Sequence, residues 1–309
     1  MVTDSGSSDV AANDAAMDSI TPTDGTADDT VTTDTPTADV PMGSCGGARP
    51  DITGIGGTEG LVIGADGTIY YSQSEAIGRM RPGMPQEDSW VAITGATTIW
   101  GIAIDAMHNT MYVGSPATGR VYTIDLTAAT PTATMLGFAA GRPNGLTTAS
   151  DGSLFYTDFG GGNVWRVDST GTRTRVTTST IMQPNGIAFG PDGALYVDSY
   201  GAGTVIRLVL ASNMEMSRTT FAMGFGSPDG LAFDSMGNLY VTDNAGGRLY
   251  RMNADGSGTP MMLMSGISAA ANVEFGAGAL SCTDIYVASG GVLRRYEMGT
   301  ITGAAVPWH

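Results

Sequence analysis

Gln183–Ser199 reads QPNGIAFGPDGALYVDS: a polar loop, a short apolar strand at Ile187–Phe189, a Pro-Asp-Gly turn and a second strand at Ala194–Val197. The same pattern returns as EGLVIGADGTIYYSQ from Glu59, WGIAIDAMHNTMYVGS from Trp100 and NGLTTASDGSLFYTD from Asn144. It returns again as DGLAFDSMGNLYVTD from Asp229 and NVEFGAGALSCTDIYVAS from Asn272. With those first residues as register marks, the spacings are 41, 44, 41, 44 and 43. Six copies at this period, each with room for about four strands, predict an all-β chain folded as a six-bladed β-propeller.

Within a repeat the order is strand A, a turn, strand B, a Gly-rich turn, strand C and a variable strand D. In the fifth repeat these are LAFD, SMGN, LYVTD, NAGG, RLYRMN and TPMMLM. ADG, SDG, PDG and SMG between A and B are hairpin turn chemistry. The Tyr and Phe of the B strands, at period-2 spacing in every blade, read as packing between neighbouring sheets rather than a ligand-stacking set. The 18 methionines, including MMLM at 261–264, read as adaptable core filler. Either Arg49–Thr53 or the C-terminal ITGAAVPWH supplies the outer strand of blade six; the sequence leaves both open.

Residues 1–48 differ in kind. They are rich in Asp, Thr and Ala, nearly free of large apolar residues, and predict a disordered acidic linker ahead of a propeller spanning 49–309. Nine Asp and one Arg in residues 1–50 carry half of the chain's net charge of −16. Such a charge reads first as a solvated tether, and an acidic chain without a basic stripe is a poor partner for nucleic acid. There is no window of 18 apolar residues and no visible signal peptide. The linker composition is similar to that following the lipidated cysteine of bacterial surface lipoproteins, which implies an extracytoplasmic location: periplasmic, secreted or tethered to a cell surface. Cys45 and Cys282, near the two ends of a circular fold, predict a disulfide that clasps the ring and an oxidising compartment. The chain is expected to act as a monomer.

All 14 basic residues are Arg, so lysine-based Schiff-base chemistry is excluded. Of the two histidines, His108 lies in the A–B turn of the second repeat and His309 ends the chain. A histidine-based general base in a central site is therefore not available. What remains is the column of residues just before strand A: Glu59, Trp100, Asn144, Asn185, Asp229 and Asn272. Around one axis they form a ring of oxygen donors with two carboxylates, an environment that suits Ca²⁺ or another hard divalent cation. Turn capping accounts for an Asn or Asp in any one blade but not for Glu59 at the same depth.

The series Glu59-Gly60, Asn144-Gly145, Asn185-Gly186 and Asp229-Gly230, in six repeats of this length, resembles the SMP-30/gluconolactonase family, related to squid-type diisopropylfluorophosphatases and the paraoxonases. The resemblance covers about residues 55–298. It implies a catalytic Ca²⁺ held by Glu59, Asn144, Asn185 and Asp229, with Asp229 also general base or nucleophile. Arg142, in Arg142-Pro143-Asn144, matches the Arg by which gluconolactonase-type members hold a sugar lactone. Two departures stand out: the paraoxonase histidine pair is absent, and the third-blade acidic residue of gluconolactonases falls in Gly160–Gly162. Trp100 makes part of the mouth apolar, and with Arg142 and Asn272 it is assigned to substrate contact. The resulting expectation is a calcium-dependent hydrolase of lactones, related esters or phosphotriesters. The alternative is a non-catalytic, NHL-like binding propeller.

Overall fold

Hairpin chemistry builds the architecture. The Pro-Asp-Gly turn puts Gly193 at φ 77°, and where the second blade lacks a turn glycine Asn109 takes the left-handed conformation instead, at φ 50°. The computed structural model describes residues 45–49 and 59–304. The linker proposed for residues 1–48 therefore lies outside the described residues except for its last four, as do 50–58 and 305–309.

The described regular structure is entirely strand, arranged as six separate antiparallel sheets in chain order. Blade five shows the pattern: Pro228–Phe233, Leu239–Asp243, Arg248–Met252 and Met261–Ser265, each paired with the next. Five sheets have four strands. The sixth has three, Ala270–Phe275, Asp284–Ser289 and Val292–Glu297. Among the described residues neither candidate supplies its outer strand. The C-terminal segment instead bridges Gly303 to Asp234 in blade five, while Ala48 pairs with Leu280 in the A–B turn of blade six.

Each interface between neighbouring blades holds its own apolar core. Tyr156 and Leu154 of blade three pack with Val121 of blade two, and Tyr240 of blade five packs with Phe275 and Val287 of blade six. Leu61 and Tyr71 of blade one pack with Tyr286 and Leu293 of blade six, which closes the circle. The B-strand aromatics are inter-sheet filler, and Tyr71, Tyr156, Tyr240 and Tyr286 are fully buried. The methionines are not mainly core filler. Met80, Met111 and Met252 are buried, but ten are exposed, among them Met261 and Met262 of the MMLM run. They fall largely on turns and outer strands, where no neighbouring sheet covers them.

Closure is reinforced at the chain's start. Cys45 and Cys282 form a disulfide with Cα atoms 5.6 Å apart. Gly46 N–H donates to the Gly278 carbonyl at 2.8 Å, and Ser281 N–H donates to that of Ala48 at 3.1 Å. Arg49 pairs with the buried Asp284 at 3.1 Å.

Candidate functional site

Three inner strands open with proline, Pro143, Pro184 and Pro228, and the next residue is Asn144, Asn185 or Asp229. The glycine that follows is required by crowding between inner strands. A Cβ on Gly101 would lie 1.9 Å from the Asn144 carbonyl oxygen, and one on Gly145 would lie 2.2 Å from that of Asn185. Hydroxyls behind this contact set its depth. Thr157 Oγ1 accepts from Gly145 N–H at 2.9 Å and donates to the Asn185 carbonyl at 2.6 Å. Thr242 does the same between Gly230 N–H and the Ala271 carbonyl, and Ser72 accepts from Gly60 N–H. The inner strands are thus stitched to one another, and the residues ahead of them are brought to one level.

Glu59, Trp100, Asn144, Asn185, Asp229 and Asn272 line one cavity of about 30 Å³, walled by Ile102, Leu146 and Ile187. That is room for one water-sized body. Asn144, Asn185 and Asp229 are buried. Burial raises Asp229 to about 7, while hydrogen bonds from the Asn185 and Asn244 side chains pull the other way. Burial, and then the charge of Asp229, push Glu59 well above the usual carboxylate range. Two acids therefore share one cavity, Asp229 buried and Glu59 partly so, and the charge of Asp229 disfavours ionisation of Glu59.

Asn272 enters this cavity out of register. Glu274 pairs with Tyr286 as Ala232 pairs with Tyr240, so Ala271, not Asn272, is the counterpart of Asp229. Asn272 takes the glycine position. Its amide donates to the Leu61 carbonyl at 2.6 Å, tying blade six to blade one. The side chain therefore ties the ring closed and still lines the cavity edge, where the sequence places it for substrate contact.

Arg142 lies at the mouth, its guanidinium carbon 5.3 Å from the Trp100 ring centre and 5.2 Å from that of Phe159. Phe159 meets Trp100 and Tyr200 edge-on, each at 5.8 Å between centres. One side of the mouth is thus an aromatic rim carrying one cation. His108 is held against Asp105 in an A–B turn, away from the ring, and His309 lies outside the described residues.

Four contributors escaped the sequence reading: Asn244, Asp198, Phe159 and Tyr200. Phe159 and Tyr200 follow strand B in TDF and DSY, and only the curl of the B–C turn brings them over the mouth. Asp198 had a signal. It sits one place earlier in strand B than Asp158 and Asp243, at the position of Thr157 and Thr242. It is fully buried against Gly186. Burial and then Asp229 raise its pKa well above the ordinary value, opposed by the amides of Gly186 and Asn185.

The donor set fits a hard divalent cation. The carboxyls of Glu59 and Asp229, partly buried and buried, line a space of ionic size with two amide side chains and without His or Cys. Among the described residues no three Asp, Glu, His or Cys side chains gather at one point. A metal here would therefore draw part of its shell from Asn144 and Asn185.

A family model described as SMP-30/Gluconolactonase/LRE-like region matches residues 67–201 and 171–291. No curated protein matches the sequence. A gluconolactonase from Xanthomonas campestris superposes with a TM-score of 0.66 at 21% identity, over 82% of this chain and 88% of that one. A luciferin-regenerating enzyme gives 0.66 at 14% identity, over 83% and 95%. Virginiamycin B lyase from Staphylococcus aureus gives 0.58 at 16%, over 80% and 87%. At these identities the superpositions speak to the fold.

Proposed function

The chain belongs to the SMP-30/gluconolactonase/LRE-like family, and from that membership we propose that it is a metal-dependent hydrolase of lactones or related esters, phosphotriesters included, acting at the mouth of the channel. The observation that carries the proposal is the pair Glu59 and Asp229: a partly buried and a buried carboxyl on one cavity, the charge of the second raising the first, in a ring otherwise made of amides and Trp100. A scaffold has no need of them, because each costs stability unless a cation joins it.

In this reading Glu59, Asn144, Asn185 and Asp229 hold a divalent cation, Ca²⁺ by the hardness of the donors. When bound, the cation supplies Lewis acidity at the carbonyl or phosphoryl oxygen of the substrate. The chain does the rest. Glu59 contributes charge. Asn185 and Asn244 hydrogen-bond Asp229 and fix its orientation, leaving a carboxylate oxygen to take a proton from the attacking water or to attack directly. Ile102, Leu146 and Ile187 keep bulk water from the site. Arg142, carried on Trp100 and Phe159, is set to orient the acyl or phosphoryl group of the substrate. The aromatic rim favours a lactone or ester with an aryl or alkyl substituent over a polyhydroxylated sugar lactone.

The test is hydrolysis of a lactone and aryl-ester panel with and without chelator. Turnover should be lost on chelation and return with Ca²⁺. Asp229→Asn should lower it by roughly 10²–10⁴-fold while the protein stays folded. Full activity of Asp229→Asn on a substrate hydrolysed in a chelator-sensitive way would remove Asp229 from the chemistry. If no lactone or ester is turned over with metal present, the binding-propeller reading replaces this one.

A further inference from the structure

Beyond the ring the channel widens. Running from below the ring toward the A–B turns is a chamber of about 310 Å³, which shares Ile102, Leu146, Ile187 and Asn272 with the upper cavity. That volume is at the lower end of the range for small-molecule sites. We propose that this chamber is a second binding site, for a small apolar primary amine whose ammonium group pairs with Glu274.

The register of the inner strands makes the case. One tier of the chamber is formed by Val62, Ala103, Thr147, Ala188, Ala232 and Glu274, equivalent positions in the six blades. Five blades place a small, uncharged residue there, and the sixth places a carboxyl. Glu274 is the one ionisable side chain among the described residues lining the chamber. Burial alone raises it, to about 8, and no neighbouring charge lowers it. Ile104, Phe189, Phe233 and Phe275 supply the apolar wall. Packing offers no reason for a lone, partly buried carboxyl among apolar side chains, because no partner offsets its loss of water. A cation that brings its own apolar body satisfies both the charge and the wall. Glu274 does not recruit a metal: Asn272, the nearest oxygen donor in sequence, spends its Oδ1 on Val273 N–H and its amide on Leu61. Access is from the turn side, where Gly64, Ala65, Gly276 and Gly278 line the chamber with little bulk.

Benzylamine, benzyl alcohol and benzoate are suitable probes, titrated calorimetrically into the full chain in the presence of chelator. Benzylamine should bind once per chain and release a proton, seen as a heat that depends on the buffer, while benzoate should not bind. Glu274→Gln should weaken benzylamine by about tenfold or more while its melting temperature shows the variant folded, and Asp229→Asn should leave the affinity unchanged. Equal binding of amine and alcohol, indifference to Glu274→Gln, or loss only in Asp229→Asn would overturn the proposal. So would binding that appears only in a chain ending at Ala304, since the chamber would then belong to the protein's own last residues. Because these titrations read binding without metal, failure of the hydrolase reading leaves their outcome intact.

Discussion

Glu274 is surrounded by apolar side chains and holds its proton to about pH 8, against an ordinary value of 4.5. The consequence for stability has a definite sign. Below about 4.5 both folded and unfolded chains are protonated at this position. Between 4.5 and 8 the folded chain keeps a proton that the unfolded chain releases, so raising the pH favours unfolding. Above 8 both are ionised and the dependence ends. Urea titrations at pH 5, 6.5 and 8 should therefore show falling stability for the parent and a shallower fall for Glu274→Gln; identical slopes would mean that the carboxyl is already paired or solvated. At the ring the same physics has a different outcome. Glu59→Gln removes a charge but keeps an oxygen donor, so the Ca²⁺ concentration for half-maximal activity should rise by about tenfold or more. Excess Ca²⁺ should restore most of the turnover, a rescue that Asp229→Asn should not show. Both Glu59 and Asp229 were legible in the sequence because each interrupts a repeating column. Glu274 also interrupts one, inside strand A, and the column before that strand does not include it.

At the scale of the strand, the site depends on how closely the inner strands approach. Gly145 faces the Asn185 carbonyl with no room for a methyl group. Gly145→Ala must push blades three and four apart or distort the Thr157 bridge, at a cost of about 1–3 kcal/mol. Denaturant midpoints should fall, and metal affinity with them, since Asn144 and Asn185 flank the contact. An alanine variant with parental stability would show that the strands have slack. This scale also marks where sequence reading succeeds and where it stops. The period, the A-to-C hairpins and the level of Glu59, Asn144, Asn185 and Asp229 follow from local turn chemistry, which repeats faithfully. Blade six breaks the repeat: it lacks the Asn-Gly pair, and the Asn of NVEF lies one residue away from the position that the strand pairing makes equivalent to Asp229. The aromatic rim depends on contacts between distant segments, and no local pattern announces those.

At the scale of the whole molecule, a circular array of blades is only as stable as its closure, and here several devices act where the two ends meet. Leu61 and Tyr71 share a core with Tyr286 and Leu293, Asn272 bonds the Leu61 carbonyl, and residues 45–49 are clipped to the last blade. The disulfide between Cys45 and Cys282 spans 237 residues of sequence. In the unfolded chain it closes a very long loop, which is where a cross-link restricts the most conformational freedom. With three described strands in blade six, the clip also covers its A–B turn, as the bridge from Gly303 to Asp234 covers that of blade five. Reduction should thus lower stability by about 2–4 kcal/mol, or roughly 5–15 °C in melting temperature for a propeller of this size. Cys45→Ser with Cys282→Ser should melt at the reduced value and no longer respond to reductant. The non-reduced protein should contain no titratable thiol. Since the clasp lies at the A–B turn end and the ring at the mouth, the hydrolysis proposed for the ring should survive reduction at 25 °C. A melting temperature unmoved by reductant, with the bond shown to be broken, would mean that the blade-one and blade-six core closes the ring without the clasp.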